Sequence, residues 1–164
     1  MNESSLTNAR ATQAWGTTLA RTLSVLGVRH VVFSPGSRST PLILACEACK
    51  ELETLPILDE RSAGFYGIGL AKRSKNPVAV VCTSGTATAN LSPSVVEANL
   101  SGIPLLLLTA DRPPELRDCG AGQAIDQLKL YGSHIRWFHE VAIPEFQTDR
   151  LDYLRQTLVH AVAK

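Results

Sequence analysis

Polar and flexible residues that could do chemistry gather in five short segments of the sequence. These segments read SPGSRST, DER, TSGTAT, ADRPPEL and DCGAGQA, at residues 34–40, 59–61, 83–88, 110–116 and 118–124. Two of them carry an arginine, Arg38 and Arg112, and a planar guanidinium can form paired hydrogen bonds with a carboxylate or a phosphate. Two arginines in two such segments predict an anionic substrate.

The sequence lacks several motifs that would each assign a chemistry. It contains no phosphate-binding G-x-x-x-x-G-K-[ST] loop, and Gly64, Gly67 and Gly69 have the wrong order for a dinucleotide-binding G-x-G-x-x-G. Ser84 lacks the glycine two residues earlier that a hydrolase nucleophile elbow requires. The four histidines show no metal-ligand spacing, so the sequence predicts no metal site within this chain.

The four cysteines are too few and too scattered for a disulfide framework. Cys46 and Cys49 form a C-x-x-C pair, but no second pair and no histidine at ligand spacing follows it. The pair also falls late in a predicted helix, whereas redox-active pairs sit at the start of one. We therefore predict core or helix-face cysteines in a reducing compartment.

Alternating helices and buried strands are predicted between the polar segments. The expected helices cover residues 8–26, a stretch beginning at Pro41, and residues 62–74, 87–100 and 148–163. The expected strands cover residues 28–34, 55–58, 77–82, 104–109 and 138–143. Each of the first four polar segments follows one of the first four strands.

Nearly continuous apolar strands that alternate with helices are typical of a parallel sheet covered on both faces. We predict a single α/β domain over residues 8–164, doubly wound and mostly parallel with helices on both faces, after a disordered tail at residues 1–7. In such a fold, ligands bind beyond the carboxyl ends of the strands. The polar segments should therefore open on one edge of the sheet.

Length and charge exclude several classes of protein. The chain has 164 residues and a formal net charge of +1, which provides no basic field for nucleic-acid binding. No apolar run approaches the roughly 20 residues that a membrane-spanning helix needs. The first residues lack the pattern of a signal peptide. These features predict a cytoplasmic protein with no nucleic-acid partner and no membrane span.

The stretch from Glu60 through Arg112 resembles the pyrimidine-binding domain of thiamine-diphosphate enzymes. It has a glutamate at a strand end, a Gly/Ala-rich helix, a strand ending in T-S-G, a helix with Asn and a later Glu-Ala, and another apolar strand. The resemblance implies that Glu60 hydrogen-bonds N1′ of the aminopyrimidine of thiamine diphosphate. That contact favours the tautomer whose basic nitrogen can take a proton from C2. It also implies that Thr83, Ser84 and Gly85 lie along the pyrimidine, with their backbone as the main contact.

Four motifs, PGSRSTPL, DER, TADRPPEL and CGAGQAI, resemble one branch of that family more narrowly. Members of this branch decarboxylate 2-oxoglutarate and add the resulting carbanion to isochorismate in menaquinone biosynthesis. The resemblance implies that Ser37, Arg38 and Arg112 hold isochorismate carboxylates, and that Gln123 is an active-site residue near the reacting carbon. Gly122 stands where some members have asparagine, so an amide contact is lost or supplied otherwise.

The family also implies partners, because its members hold the cofactor's diphosphate and a Mg or Mn ion through a G-D-G motif in a second domain. This sequence has no G-D-G. The resemblance therefore implies that the chain is the N-terminal part of a longer, oligomeric enzyme, whose diphosphate-binding domain comes from another subunit. The isolated chain should then be inactive.

Other functions remain open at this point. The chain could be the pyrimidine domain of a different thiamine-diphosphate lyase or decarboxylase, or a non-catalytic module that binds a small anionic ligand. Glu60 could be a first-turn helix acid beside an N-cap at Asp59. Arg38 and Arg112 could form surface ion pairs.

Overall fold

The computed structural model describes residues 3–164 of the chain. Within this range the helices are α1 (Glu3–Val25), α2 (Thr40–Glu47), α3 (Glu60–Ser74), α4 (Thr86–Asn90), α5 (Ser92–Leu100) and α6 (Thr148–Val162). The strands are β1 (His30–Phe33), β2 (Glu53–Pro56), β3 (Val78–Cys82) and β4 (Leu105–Thr109).

All strand pairs are parallel, and the strand order across the sheet is β2-β1-β3-β4. The chain moves outward from β1 to β2 and then returns to place β3 on the other side of β1. The order of the strands thus reverses between β1 and β3. In open α/β sheets, the crevice at such a reversal is where ligands bind.

The two faces of the sheet bury alternate strand residues under different helices. Val31 and Val81 belong to a core cluster that includes Trp15 of α1, Ile43 of α2 and Leu154 of α6. Neighbouring positions on the same strands, Val32 and Val80, face a second cluster with Ala63, Leu91 and Val95. This arrangement of α1, α2 and α6 on one face and α3, α4 and α5 on the other confirms the predicted α/β fold.

One predicted helix is broken in the structure, and the second strand begins and ends two residues earlier than predicted. The expected helix over residues 87–100 is broken at Leu91, and Pro93 lies in the first turn of α5. Proline has no amide hydrogen, and its ring would clash with the carbonyl of Ala89 in a continuous helix. The hydroxyl of Ser92 donates to that carbonyl instead, at 2.7 Å.

The strand predicted over residues 138–143 does not form. This segment packs against side chains of α6 and does not pair with the edge of the sheet. The ring of Trp137 packs on His160, and His139 Nε2 lies 2.6 Å from the hydroxyl of Tyr153. These contacts hold the segment along the helix, so its backbone joins no ladder.

The start of the chain is also more regular than predicted. Residues 3–7, assigned to a disordered tail, belong to α1, and residues 1–2 lie outside the described part of the chain. Cys46 and Cys49 are buried in the core, as predicted, and neither forms a disulfide. Between residues 3 and 164, no helix is both long and apolar enough to cross a membrane.

Candidate functional site

At the strand reversal, the segments that leave β1 and β3 pack directly against each other. We call residues 34–39 the β1 exit loop and residues 83–85 the β3 exit loop. A side chain added at Gly36 would place its Cβ 2.8 Å from Thr83 Cγ2, closer than real atoms approach. Glycine at position 36 therefore allows the two loops to touch.

The exits of β1 and β2 are joined as well. The buried hydroxyl of Ser34 donates to the carbonyl of Ile57 across 2.9 Å. Ile57 lies three residues before Glu60, so this bond anchors the segment that leads into α3. The exits of β1, β2 and β3 thus meet at one edge of the sheet, as the sequence predicts.

Glu60 is half-buried and stands at the first position of α3. Asn90, at the end of α4, donates from Nδ2 to Glu60 Oε2 across 3.3 Å. The second carboxylate oxygen of Glu60 has no hydrogen-bond partner among residues 3–164. One oxygen is therefore held and the other is available to a ligand.

The N-cap at Asp59, which belongs to the alternative interpretation of Glu60, is present. Asp59 Oδ1 accepts from the backbone N–H groups of Arg61 and Ser62, at 2.9 and 3.2 Å. The hydrogen bonds from the Arg61 side chain and from the Ser62 backbone lower the pKa of Asp59 to about 2. Asp59 therefore fixes the start of the helix, and Glu60 is not needed for capping.

The β3 exit loop is buried and mostly bonded to other parts of the protein. The hydroxyl of Ser84 donates to the Gln123 carbonyl at 2.8 Å, and the Gly85 N–H donates to Gln127 Oε1 at 2.8 Å. The exception is Thr83, whose buried hydroxyl oxygen has no partner among the described residues. A buried hydroxyl without a partner is costly, and a bound ligand could supply one.

Arg38 and Arg112 both line one groove of about 990 Å³ that runs along β4. Arg38 is exposed, and within residues 3–164 its guanidinium has no ion-pair or hydrogen-bond partner. Arg112 donates from Nε and Nη2 to the Gly122 carbonyl, at 3.1 and 2.6 Å. Neither arginine forms an ion pair with a described carboxylate, so their cationic charge stays available to an anion.

Ser37 and Gln123 are exposed. Gln123 has φ +56°, in the left-handed region, and its backbone, rather than its amide, contacts the β3 exit loop. The predicted site residues therefore fall into two groups. Glu60 and Thr83–Gly85 lie around the strand reversal, and Arg112 lines the groove beside β4. Arg38 belongs to both places, because it lines the groove and is part of the β1 exit loop, which packs on Thr83.

Sequence reasoning missed two residues that organise this edge, Asn90 and Gln127. Asn90 is the asparagine of the helix named in the family resemblance, so a signal for it was present, although no role was assigned to it. Gln127 is buried and bonds to residues 42 and 17 positions away along the chain. No local pattern could have revealed those two contacts.

Most of the sequence is similar to a known protein family. Residues 14–130 match the family model described as "Thiamine pyrophosphate enzyme, N-terminal TPP binding domain". The matched range includes Glu60, the β3 exit loop, both arginines and Gln127.

Several curated relatives are similar over most of the chain. Proteins of Microcystis aeruginosa and Acaryochloris marina are each 57% identical to it over 147 residues, and one of Trichodesmium erythraeum is 53% identical over 150. All three carry the name 2-succinyl-5-enolpyruvyl-6-hydroxy-3-cyclohexene-1-carboxylate synthase. The alignments cover 90–92% of this chain but only 25–26% of each relative. The chain thus spans about a quarter of the length of these relatives.

Proposed function

Because this chain belongs to the thiamine pyrophosphate enzymes, as an N-terminal TPP binding domain, we propose that Glu60 is its cofactor-activating carboxylate. We propose further that the chain is the corresponding part of a 2-succinyl-5-enolpyruvyl-6-hydroxy-3-cyclohexene-1-carboxylate synthase. The main support is the geometry of Glu60: one carboxylate oxygen is held by Asn90 and the other has no described partner.

The residues around Glu60 fit the aminopyrimidine of thiamine diphosphate (thiamine pyrophosphate). The available Glu60 oxygen can accept a hydrogen bond from the ring nitrogen N1′. The buried Thr83 hydroxyl lacks a partner and can pair with a second polar atom of the same ring. When bound, this cofactor supplies the electron sink that decarboxylation of a 2-oxo acid requires.

In this proposal the carboxylate of Glu60 holds the proton shared with N1′. Holding it there favours the ring tautomer with a basic exocyclic nitrogen. Asn90 fixes the direction of the carboxylate, since its amide occupies Oε2. The backbone of the β3 exit loop would lie along the ring.

The arginines suit the proposed substrates, 2-oxoglutarate and isochorismate, which are both dicarboxylates. Arg38 has its whole guanidinium available, and Arg112 is oriented by the Gly122 carbonyl. We propose that both bind isochorismate carboxylates, with Ser37 beside Arg38. The exposed amide of Gln123 is then available at the reacting carbon.

We place the remaining parts of the catalyst outside this chain. A second domain, contributed by another subunit of a homo-oligomer, would hold the diphosphate and a Mg or Mn ion. Among the side chains of residues 6–164, no three of His, Cys, Asp or Glu converge as a metal site would require. We expect the assembled enzyme to work in the cytoplasm, where free thiols such as the four of this chain stay reduced.

The test uses the protein encoded by the complete reading frame, supplied with thiamine diphosphate, Mg²⁺, 2-oxoglutarate and isochorismate. We expect carbon dioxide release that depends on both substrates, together with formation of the coupled product. Release of carbon dioxide from a different 2-oxo acid, with none from 2-oxoglutarate, would assign the chain to another enzyme of the family. Absence of any thiamine diphosphate binding would contradict the role of Glu60.

A further inference from the structure

A single segment of chain is bonded at two points to the β3 exit loop and at a third point to α4, the helix that follows it. We call residues 122–131 the clasp segment. Its Gln123 carbonyl accepts from Ser84, its Gln127 side chain accepts from Gly85, and its Tyr131 hydroxyl donates to the Thr88 carbonyl at 2.8 Å. These bonds reach across 39 to 43 residues of sequence.

Gln127 is the buried centre of the clasp segment, with 8% of its surface exposed. Its Oε1 accepts the Gly85 N–H at 2.8 Å, and its Nε2 donates to the Ala110 carbonyl at 3.0 Å. Ala110 directly follows β4 and lies two residues before Arg112. One amide therefore ties the exit of β3 to the exit of β4.

The bond from Gln127 satisfies the N–H of the N-cap residue of α4, as the third-position side chain of a capping box does in other helices. Gly85 is the N-cap residue of α4 and carries no side chain that could satisfy the helix start. Its φ of +81° lies in the left-handed region, and a Cβ there would come within 3.0 Å of the Gln123 carbonyl oxygen. The conformation of this turn therefore depends on contacts from the clasp segment.

We propose that Gln127 is a positioning residue that holds the β3 exit loop and the segment carrying Arg112 in a fixed arrangement, an inference that rests on the proposed function. Both polar atoms of the amide are bonded within the protein, so the proposed role acts through other residues. Its acceptor fixes the Gly85 turn, and through it Thr83 and Ser84. Its donor fixes Ala110, and with it the backbone from which Arg112 extends to the Gly122 carbonyl. Loss of the acceptor should weaken cofactor binding, and loss of the donor should raise KM for isochorismate.

Two substitutions test the acceptor and the donor of the Gln127 amide separately. Gln127→Met keeps the length of the side chain and removes both hydrogen bonds. Gln127→Glu, measured at a pH at which its carboxyl is ionised, keeps an oxygen for the Gly85 N–H but has no hydrogen to donate to Ala110. Tyr131→Phe is the matched control, because it removes a hydrogen bond of the same segment to Thr88 and leaves Gly85 bonded.

The first measurement is amide hydrogen exchange on the enzyme from the complete reading frame without ligands, a readout that does not depend on activity. We expect Gln127→Met to speed exchange at Gly85 by about tenfold, the effect of losing one net hydrogen bond. Gln127→Glu and Tyr131→Phe should leave Gly85 protected. Wild-type exchange at Gly85 in Gln127→Met would overturn the proposal.

The second measurement uses the enzyme from the complete reading frame. We expect Gln127→Met to weaken thiamine diphosphate binding and to raise KM for isochorismate, each by about tenfold. Gln127→Glu should raise only that KM. A merely structural role would lower Tm and the folded fraction while the folded enzyme kept its normal Kd and KM, and this result would overturn the inference. A wild-type enzyme that fails to bind the cofactor would instead remove the proposed function, whatever Gln127 does.

Discussion

Asn90 Nδ2 donates a hydrogen bond to Glu60 Oε2 across 3.3 Å, joining the end of α4 to the start of α3. The two residues are 30 positions apart in the sequence. Because α3 and α4 follow different strands, this bond exists only when the parallel sheet is assembled. The direction of the Glu60 carboxylate is therefore a product of the fold, and it can be altered without changing Glu60 itself.

We predict that Asn90→Ala slows proton exchange at C2 of bound thiamine diphosphate by about tenfold, since one net hydrogen bond orienting Glu60 is lost. The measurement is deuterium incorporation at C2, read by proton NMR after acid quench, on the enzyme from the complete reading frame. Ser92→Ala is the control, because the Ser92 hydroxyl bonds to Ala89 in the same connection and does not touch Glu60. Equal exchange rates in the two variants would contradict the positioning role of Asn90.

Glu60→Gln should have a larger effect on the same exchange. The amide cannot hold the proton shared with N1′, so the rate should fall by roughly a hundredfold or more, the usual range for loss of general acid–base catalysis. Glu47→Gln, an exposed glutamate at the end of α2, should exchange at the wild-type rate. If Glu60→Gln also exchanged normally, Glu60 would have no role in activating the cofactor.

The fold of this chain was largely predictable because its main signals are local. Runs such as residues 77–82 are apolar throughout, which only a strand buried on both faces requires. The N-cap at Asp59 was also predictable, since its bonds reach only two and three residues along the chain. Both features are encoded within a few residues of where they act.

The parts that sequence reasoning missed depend on partners distant in the chain. Residues 138–143 have the composition of a strand, but contacts with α6 hold this segment along the helix. His139 contacts Tyr153, and Trp137, just before the segment, packs on His160. Gln127 looks like any polar residue of a loop until Gly85 and Ala110 are brought to its two ends. Likewise, two arginines near strand ends did not indicate that Arg112 is oriented by the carbonyl of Gly122.

Two glycines of α3 should respond in opposite directions to the same substitution. A Cβ at Gly64 would lie 2.6 Å from Ser94 Cβ, whereas a Cβ at Gly69 meets nothing within 4 Å. We predict that Gly64→Ala destabilises the chain by about 1–3 kcal/mol through overpacking. Gly69→Ala should stabilise it by about 0.5–1 kcal/mol through helix propensity. Urea unfolding of the 164-residue chain measures both, and changes of the same sign would refute the packing of α3 against α5.

We predict one rapidly reacting thiol among the four cysteines of the folded chain. Cys119 is exposed, whereas the other three are buried, and burial is the main cause that raises the pKa of Cys46 and of Cys82 to about 12. Titration with a thiol-specific disulfide reagent near pH 8 should label one site natively and four after unfolding, because the thiolate is the reactive form. Cys119→Ser should remove the native signal. Fast labelling of Cys46 or Cys49 in that variant would restore the redox interpretation of the C-x-x-C pair.

The N-cap of α3 should make a contribution to stability that is lost in acid. In the folded chain, hydrogen bonds from Arg61 and Ser62 lower the pKa of Asp59 to about 2, from an ordinary value of 3.8. A carboxylate whose pKa falls on folding stabilises the native state above its unfolded pKa and loses that contribution as pH drops through its folded pKa.

Asp59→Asn is the informative variant, because asparagine still caps the helix but carries no charge for Arg61. We predict that wild type is more stable than Asp59→Asn at pH 6, and that the difference shrinks steadily between about pH 4 and pH 2. Urea unfolding of both proteins across this range measures the difference, and Asp152→Asn is the control for an exposed pair on α6. A difference that stayed constant down to pH 2 would mean that the charge of Asp59 does not stabilise α3, the helix that begins with Glu60.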